Sequence, residues 1–277
     1  MGSESNDAVR VVQISDTHLS HRRAYGVPNV RAVLDWISAD PPDLVVHTGD
    51  ITADDPDDAA ERAFAHLELT ERGLPLVVLP GNHDVGGFSE DLFTPARRAA
   101  FVEQWTTDTF AVDLGDWRLI GANVYRLDDE EHDRWLASAF ATDRPMALFV
   151  HQPLCLVHPD QPDAGDWSVP MRLRRRLLDL IAGRPVRLVA SGHLHRYKSA
   201  TLPGGVSAVW CPPASFVGTE YDDGSTYVVG LVEHSLFADG TCRHRLIEPP
   251  GIEQLRFADF APADARSLRA APLLPLG

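Results

Sequence analysis

Five apolar segments of this chain each run into aspartate, asparagine or histidine, side chains that bind divalent cations through oxygen or imidazole nitrogen. Runs such as residues 44–46 are typical of buried strands, and α/β sheets place their ligands at the carboxyl ends of such strands. Because five strand ends agree, we predict that the polar residues following them meet at one metal site. The candidate metal ligands are Asp16, His18, Asp50, Asn82, His151, His193 and His195.

Seven ligands are more than one small ion needs, and two ions about 3.5–4 Å apart would use all of them if one carboxylate were shared. Asp50 is the predicted bridge. Asp16 and His18 are two residues apart, as are His193 and His195, so each pair projects to one side of an extended segment. The set contains no cysteine, which favours two divalent or trivalent ions of manganese, iron or zinc over a thiolate zinc site.

In order and strand context, these residues resemble the signature of the calcineurin-like metallophosphoesterases. The matching blocks are Asp16-x-His18, Gly49-Asp50, Gly81-Asn82-His83-Asp84, His151 and Gly192-His193-x-His195. The resemblance implies an α/β fold, a four-layer α/β/β/α sandwich of two mixed sheets flanked by helices. It also implies one ion held by Asp16, His18, Asp50 and His195, and a second held by Asp50, Asn82, His151 and His193. Residues 16–19, 43–50 and 133–136 are most similar to the class III cyclic-nucleotide phosphodiesterase branch.

The implied activity is hydrolysis of a P–O bond in a small phosphodiester, with a 3′,5′-cyclic nucleotide as the first candidate, by attack of a metal-bridging hydroxide. His83 follows Asn82 directly and is the predicted catalyst that binds no metal, protonating the leaving oxygen or stabilising charge. Asp84 is predicted to orient a histidine ligand. Arg22 and Arg23 are candidates for binding a phosphate or a base, although surface arginines are the simpler interpretation.

Other functions remain open on the same residues. A broad phosphomonoesterase or a glycerophosphodiesterase would use the same site. A protein of another class, a metal-dependent binding module without catalysis, is disfavoured by the complete ligand set. The chain has 277 residues and a net charge of −15, which disfavours a nuclease, a nucleic-acid partner or an anionic membrane surface. A homodimer is compatible with the sequence.

Three cysteines without a Cys-x-x-Cys pair are typical of a reducing compartment. The polar N-terminus has no apolar stretch of the kind that a signal peptide needs, and no apolar run is long enough to span a membrane. The expected location is therefore the cytoplasm.

Strands and helices alternate up to His195, after which strand-like runs at 199–202, 205–210, 226–233 and 241–247 predict a β meander. Residues 1–248 are the predicted catalytic domain. Residues 249–277 are expected to pack on it or to be partly ordered, with Phe257 and Phe260 as anchors. His47 is predicted to be a core or edge histidine, and His132, His234 and His244 have no pattern that indicates a function.

Overall fold

The computed structural model describes residues 8–53, 55–89, 91–202 and 204–259. Strands alternate with helices through most of this part of the chain. The strands are β1 (Val9–Ile14), β2 (Leu44–His47), β3 (Leu76–Val78), β4 (Phe110–Leu114), β5 (Trp117–Gly121), β6 (Met146–Phe149), β7 (Val186–Ser191), β8 (Lys198–Leu202), β9 (Val206–Trp210), β10 (Leu231–Leu236) and β11 (Cys242–Ile247). The helices are α1 (Val27–Ala39), α2 (Ala59–Thr70), α3 (Asn82–Val85), α4 (Pro95–Trp105), α5 (Glu130–Ala139) and α6 (Met171–Ile181).

These strands form two mixed sheets. The first has the order β11-β10-β1-β2-β3, in which β1, β2 and β3 are parallel and β10 is antiparallel to β1. The second has the order β4-β5-β6-β7-β9-β8, in which β5, β6, β7 and β9 are parallel. Parallel neighbours end at the same edge of a sheet, so the loops after β1, β2 and β3 lie together, as do those after β6 and β7.

Alternate residues of each strand belong to different apolar layers because successive side chains point to opposite faces of a sheet. Val11 and Val46 are buried with Phe149 and Leu188 of the second sheet. Their neighbours Val12 and Val45 belong to the cluster that contains the buried faces of α1, α5 and α6. Each fully buried side chain of this size stabilises the fold by roughly 1.5–3 kcal/mol. The predicted four-layer α/β/β/α sandwich is confirmed.

The predicted meander after His195 is wrong. The β8–β9 hairpin extends the second sheet beside β7, whereas the β10–β11 hairpin extends the first sheet beside β1. The third predicted run, 226–233, also has different bounds in the structure, where β10 spans Leu231–Leu236. Before it, the amide of Val229 donates to the Gln254 side chain and that of Gly230 to the Pro213 carbonyl. Hairpin formation is local, but the sheet that a hairpin joins depends on partners far away in the chain.

The described part of the C-terminal segment packs on the body. Asn29 of α1 donates to the carbonyls of Ser215 and Glu253, and the Glu253 amide donates back to its side chain at 2.7 Å. The Phe257 amide donates to the Val217 carbonyl at 2.9 Å. Residues 260–277, with the predicted anchor Phe260, lie outside the described residues, so the domain boundary at 248 stays a prediction.

None of the helices in the described ranges combines the length and the apolar character that a membrane crossing requires.

Candidate metal centre

The loops that carry the predicted ligands have unusual backbone geometry. Positive φ angles, which are uncommon outside glycine, occur at Asp16 (52°), His18 (41°), Asp50 (54°), His193 (69°) and His195 (51°). Among the other non-glycine residues that the structure describes, only Thr106 has one. Such strained conformations persist when the surrounding structure fixes them, and they are frequent at functional sites.

Main-chain hydrogen bonds hold the loop after β1 against the loop after β2. The Asp16 amide donates to the Gly49 carbonyl at 2.9 Å, and the His18 amide donates to the Asp50 carbonyl at 3.1 Å. From the second sheet, the His193 amide donates to the Asp16 carboxylate at 2.9 Å. The edges of the two sheets are therefore joined at the ligand residues themselves.

The first ligand cluster comprises Asp16, His18, Asp50 and His195, whose ligand atoms all lie within 4.8 Å of one another. The Nε2 atoms of His18 and His195 are 2.9 Å apart, and His195 Nε2 is 3.4 Å from Asp16 Oδ1. Asp50 Oδ2 lies 3.8 Å from His18 Nε2. These side chains match the ligand set predicted for one ion.

The second ligand cluster comprises Asp50, Asn82, His151 and His193. His151 Nε2 lies 3.3 Å from Asp50 Oδ1, 3.1 Å from Asn82 Oδ1 and 3.2 Å from His193 Nδ1. The two oxygens of Asp50 therefore face different clusters, as a bridging carboxylate requires. The structure brings all seven predicted ligands into these two adjoining clusters.

For three of the four histidine ligands, a main-chain carbonyl determines which ring nitrogen faces the centre. His151 donates from Nδ1 to the Thr48 carbonyl at 2.7 Å, and His193 donates from Nε2 to the Asp166 carbonyl at 2.6 Å. His195 donates from Nδ1 to the Phe216 carbonyl at 2.7 Å. In the neutral ring, the nitrogen that faces the centre then carries a lone pair, as metal coordination requires.

These tautomers give a test of whether the residues suit cations. In the second cluster, the lone pairs of His151 Nε2 and His193 Nδ1 face each other beside two amide or carboxylate oxygens, those of Asn82 and Asp50. A single proton could pair only some of these acceptors, whereas a divalent cation binds all four. The donor set of oxygen and imidazole nitrogen suits manganese, iron or zinc. The residues fit the two metal ions that the fold implies.

Burial and mutual charge shift the pKa values in the two clusters. Burial raises the pKa of Asp50, but His151 and His83 outweigh it and hold that pKa well below its usual value. Burial lowers the pKa of His151, but Asp50 and Asp16 reverse the shift and raise it to about 9. Burial together with the neighbouring His151 lowers the pKa of His193 to about 4. The carboxylates are thus ionised near neutral pH, which suits cation binding.

Two motif glycines allow the loops to approach so closely. Gly49 has a φ of 102°, and a Cβ there would lie 2.6 Å from His151 Nδ1. A Cβ on Gly192 would collide with the side chains of Ser15 and Asp16. Any side chain at either position would push the ligand-bearing loops apart.

His83 lies beside the first cluster without a place in its ligand set. Its ring is edge-on to that of His18, with centroids 4.8 Å apart, and its amide donates to Asp50 Oδ1 at 2.9 Å. His83 Nδ1 lies 2.6 Å from the Ala53 carbonyl, so Nδ1 is the donor and Nε2 remains for other contacts.

Asp84 differs from its prediction, since its hydrogen bonds in the described structure go to main-chain amides and a threonine rather than to a histidine. Its carboxylate accepts from the amides of Gly81, Ile51 and Thr52 and from the Thr52 hydroxyl. A carboxylate with so many donors fixes the segments that follow Asp50 and precede Asn82. Asp84 therefore positions the ligands through their backbone.

The two predicted substrate arginines differ in their surroundings. Arg22 is 60% exposed and pairs with Asp58 at 2.5 Å, at the beginning of α2. Arg23 is half-buried, and its amide donates to the Ser20 hydroxyl at 3.2 Å. Their role in substrate binding remains a prediction, and the Asp58 pair gives Arg22 a structural partner.

The sequence analysis did not predict the residues that orient the histidine ligands or pack against them. The carbonyls of Thr48, Asp166 and Phe216 orient three histidines, and the Phe216 ring packs against His18 and His195 with centroids 5.2 and 5.0 Å away. No sequence signal could have found these carbonyls, because every residue type has one.

Comparisons with known proteins agree with this geometry. The model of the calcineurin-like phosphoesterase family matches residues 9–197. A probable cyclic nucleotide phosphodiesterase of Rhodococcus erythropolis is 30% identical over 207 residues, which cover 70% of this chain and 67% of that protein. The serine/threonine-protein phosphatase CPPED1 of Bos taurus is 29% identical over 148 residues, and the match covers 49% of this chain and 46% of that protein. The chain thus spans less than half of that phosphatase.

A solved structure shares the fold. The purple acid phosphatase PPD1 from yellow lupin superposes with a TM-score of 0.65 at 15% identity, covering 98% of this chain and 57% of that one. The sandwich and its two ligand clusters define a metal-dependent phosphoric ester hydrolase. The chain belongs to the calcineurin-like phosphoesterase family, as its motifs predicted.

Proposed function

We propose that the protein is a dinuclear metal-dependent phosphodiesterase that hydrolyses a P–O bond of a small phosphodiester, with a 3′,5′-cyclic nucleotide as the first candidate. The observation that carries the proposal is the close approach of four ligand atoms in the second cluster, where His193 Nδ1, Asn82 Oδ1 and Asp50 Oδ1 lie within 3.3 Å of His151 Nε2. The name of the Rhodococcus relative supports the choice of a cyclic nucleotide.

Two bound cations would supply Lewis-acid stabilisation of charge on phosphoryl oxygens and would lower the pKa of water at the centre. The chain supplies their positions. The carboxylates of Asp16 and Asp50 would offset the charge of the ions, and carbonyls hold His151, His193 and His195 in the required tautomers. Because these groups are fixed before substrate arrives, little reorganisation accompanies the reaction.

In this proposal His83 transfers a proton to the leaving oxygen. In its protonated form Nδ1 still donates to the Ala53 carbonyl, and Nε2 carries the second proton. That proton would pass from Nε2 to the leaving oxygen as the P–O bond breaks, leaving a neutral ring in the same orientation. The hydrogen bond to Ala53 thus fixes the ring without occupying the nitrogen that reacts.

The second candidate is a phosphomonoesterase, which the similarity to the phosphatase CPPED1 favours. The test is a substrate screen on protein reconstituted with Mn²⁺, using p-nitrophenyl phosphate, bis-p-nitrophenyl phosphate, a glycerophosphodiester and cyclic AMP. We expect a higher kcat/KM for the diesters than for p-nitrophenyl phosphate. A clear preference for the monoester would overturn the diesterase proposal in favour of the second candidate.

The matched control is Asn82→Ala, which removes one ligand of the second cluster and leaves His83 in the chain. We expect it to abolish most of the activity, which separates hydrolysis at this site from a contaminating phosphatase. If the wild-type protein binds Mn²⁺ but hydrolyses no phosphoester, a metal-dependent binding module is the correct description.

A further inference from the structure

Tyr125 carries a buried hydroxyl group that the proposed mechanism does not use. It lies in the short 3-10 helix Val124–Arg126 that follows β5, and the residue is only 5% exposed. Its hydroxyl has no hydrogen-bond partner within the described part of the chain. Buried polar groups are nearly always paired, so this hydroxyl requires an explanation.

The position of Tyr125 places it at the edge of the sheets where the ligands lie. β5 is parallel to β6, so the segment after β5 emerges on the same side as His151, which follows β6. The Tyr125 ring packs against Phe88, three residues beyond the end of α3, with centroids 5.0 Å apart. Helix α3 begins with the ligand Asn82. Tyr125 therefore packs beside the segment that follows the ligand Asn82.

The charges that act on the hydroxyl come from the same region. Burial raises the pKa of Tyr125 well above its ordinary value, and Asp50, Asp84 and Asp166 raise it further. The phenol is thus neutral at any working pH and can donate a hydrogen bond. Asp50 is the ligand shared by both clusters, whereas the Asp166 carbonyl accepts from His193. The effect of these carboxylates on the pKa of Tyr125 agrees with a position of the hydroxyl near the centre.

The main chain around Tyr125 is held rigidly. Its amide donates to Asn123 Oδ1 at 3.0 Å, and Asn123 Nδ2 donates to the buried Asp108 at 3.0 Å. The next residue, Arg126, pairs with Asp108 and Asp129. A side chain on so well fixed a turn is preorganised, as a substrate-contacting group should be.

We propose that Tyr125 contacts the substrate, its hydroxyl donating a hydrogen bond to a non-bridging oxygen of the phosphoryl group at the centre. An anionic phosphoryl oxygen is a strong acceptor and would pair the hydroxyl that has no partner among the described residues. The contact would lie on the side of the second cluster, whereas His83 adjoins His18 of the first. This inference rests on the proposed function, because it assigns a phosphoryl group to the site.

The test is Tyr125→Phe, which removes one oxygen and keeps the ring against Phe88. Inorganic phosphate is the probe, titrated calorimetrically into Mn²⁺-loaded protein, and kcat/KM is measured on bis-p-nitrophenyl phosphate. A hydrogen bond to a charged acceptor corresponds to a loss of about 10- to 100-fold in each quantity. Metal content should stay at the wild-type value, and the melting temperature should not fall, because the variant buries no unpaired hydroxyl.

Tyr197→Phe is the matched control, since Tyr197 is a half-buried tyrosine that packs at the interface of the sheets. We expect it to leave phosphate affinity and kcat/KM unchanged. Unchanged phosphate affinity in Tyr125→Phe would overturn the inference, as would loss of a metal ion from that variant. If the wild-type protein hydrolyses no phosphoester, the proposed function fails. The phosphate titrations would then still show whether Tyr125 contacts the anion.

Discussion

His234 of β10 and His244 of β11 face each other through their Nδ1 atoms, which are 2.8 Å apart. His234 is fully buried and His244 is half-buried. His234 Nε2 lies 3.1 Å from Gln13 Oε1, which can only accept, so His234 donates from Nε2 and accepts at Nδ1. His244 must then donate from Nδ1, and its Nε2 accepts from the thiol of Cys242, 3.5 Å away.

This chain of hydrogen bonds runs in one direction from the sheet edge to the metal centre. At its inner end, Gln13 Nε2 donates to Thr48 Oγ1 at 3.0 Å and to the Ser191 carbonyl at 3.1 Å. The Thr48 carbonyl orients His151, and Ser191 lies two residues before His193. Gln13 therefore links β1 of the first sheet to the end of β7 in the second sheet, next to the loop that carries His193.

Gln13→Leu should destabilise the protein, because it removes three buried hydrogen bonds and leaves His234 Nε2 without its acceptor. We expect the free energy of unfolding to fall by about 3 kcal/mol, at about 1 kcal/mol for each hydrogen bond lost. Urea denaturation of the metal-free protein measures this change. Gln104→Leu, at a half-buried position on α4, is the control. Equal stability of the two variants would contradict the role assigned to Gln13.

Buried His132 should make the protein sensitive to acid. Burial and then Arg126 lower its pKa to about 4, and neither ring nitrogen has a hydrogen-bond partner in the described structure. Above the unfolded pKa of about 6.5 the ring is neutral in both states. Between pH 6.5 and 4 the unfolded chain binds a proton that the folded protein does not, so stability is lost as pH falls.

His132→Leu removes this contribution. At pH 8 the stability should be close to that of the wild type or above it. On going to pH 5 the variant should lose about 2 kcal/mol less than the wild type, from a difference of about 1.5 pH units at 1.4 kcal/mol each. Urea denaturation at both pH values measures the difference. His66→Leu controls for the loss of a histidine from a helix, and parallel pH profiles for wild type and His132→Leu would refute the assignment.

Metal content should distinguish the shared ligand from an unshared one. Asp50 has one oxygen facing each cluster, so Asp50→Ala should lose both ions, whereas Asn82→Ala should lose one. Metal analysis by mass spectrometry after dialysis gives the stoichiometry. Asp113→Ala, a surface aspartate that pairs with Arg118, is the control. Retention of two ions by Asp50→Ala would show that this carboxylate does not bridge.

His83→Ala should lower kcat while both metal ions are retained. General acid catalysis by a positioned group contributes about 10²–10⁴-fold, which sets the size of the expected loss. Steady-state kinetics and metal analysis on the same preparation measure the two quantities. His66→Ala is the control, because the half-buried ring of His66 on α2 packs against Trp105 of α4, away from the ligand clusters. If His83→Ala loses an ion, His83 is a ligand rather than a catalyst.

Local sequence patterns predicted much of the fold. The apolar runs and the residues that follow them predicted β1, β2, β3, β6 and β7, and the ordered motifs predicted the sandwich that the structure has. Local patterns did not predict which sheet each of the last two hairpins joins. β8 and β9 pair with each other in either arrangement, and only the long-range contact of β9 with β7 assigns them to the second sheet.

The side chains that could bind metal were predictable from the sequence, because ligand chemistry depends on residue type and the spacing places these residues at strand ends. Which ring nitrogen of His151, His193 and His195 faces the centre depends on the folded chain and could not be predicted. The carbonyls of Thr48, Asp166 and Phe216 make that choice, and a carbonyl is the same in every residue type. The Tyr125 hydroxyl, which has no partner in the described ranges of the chain, is likewise a property of the fold, since its surroundings come from segments far apart in the sequence.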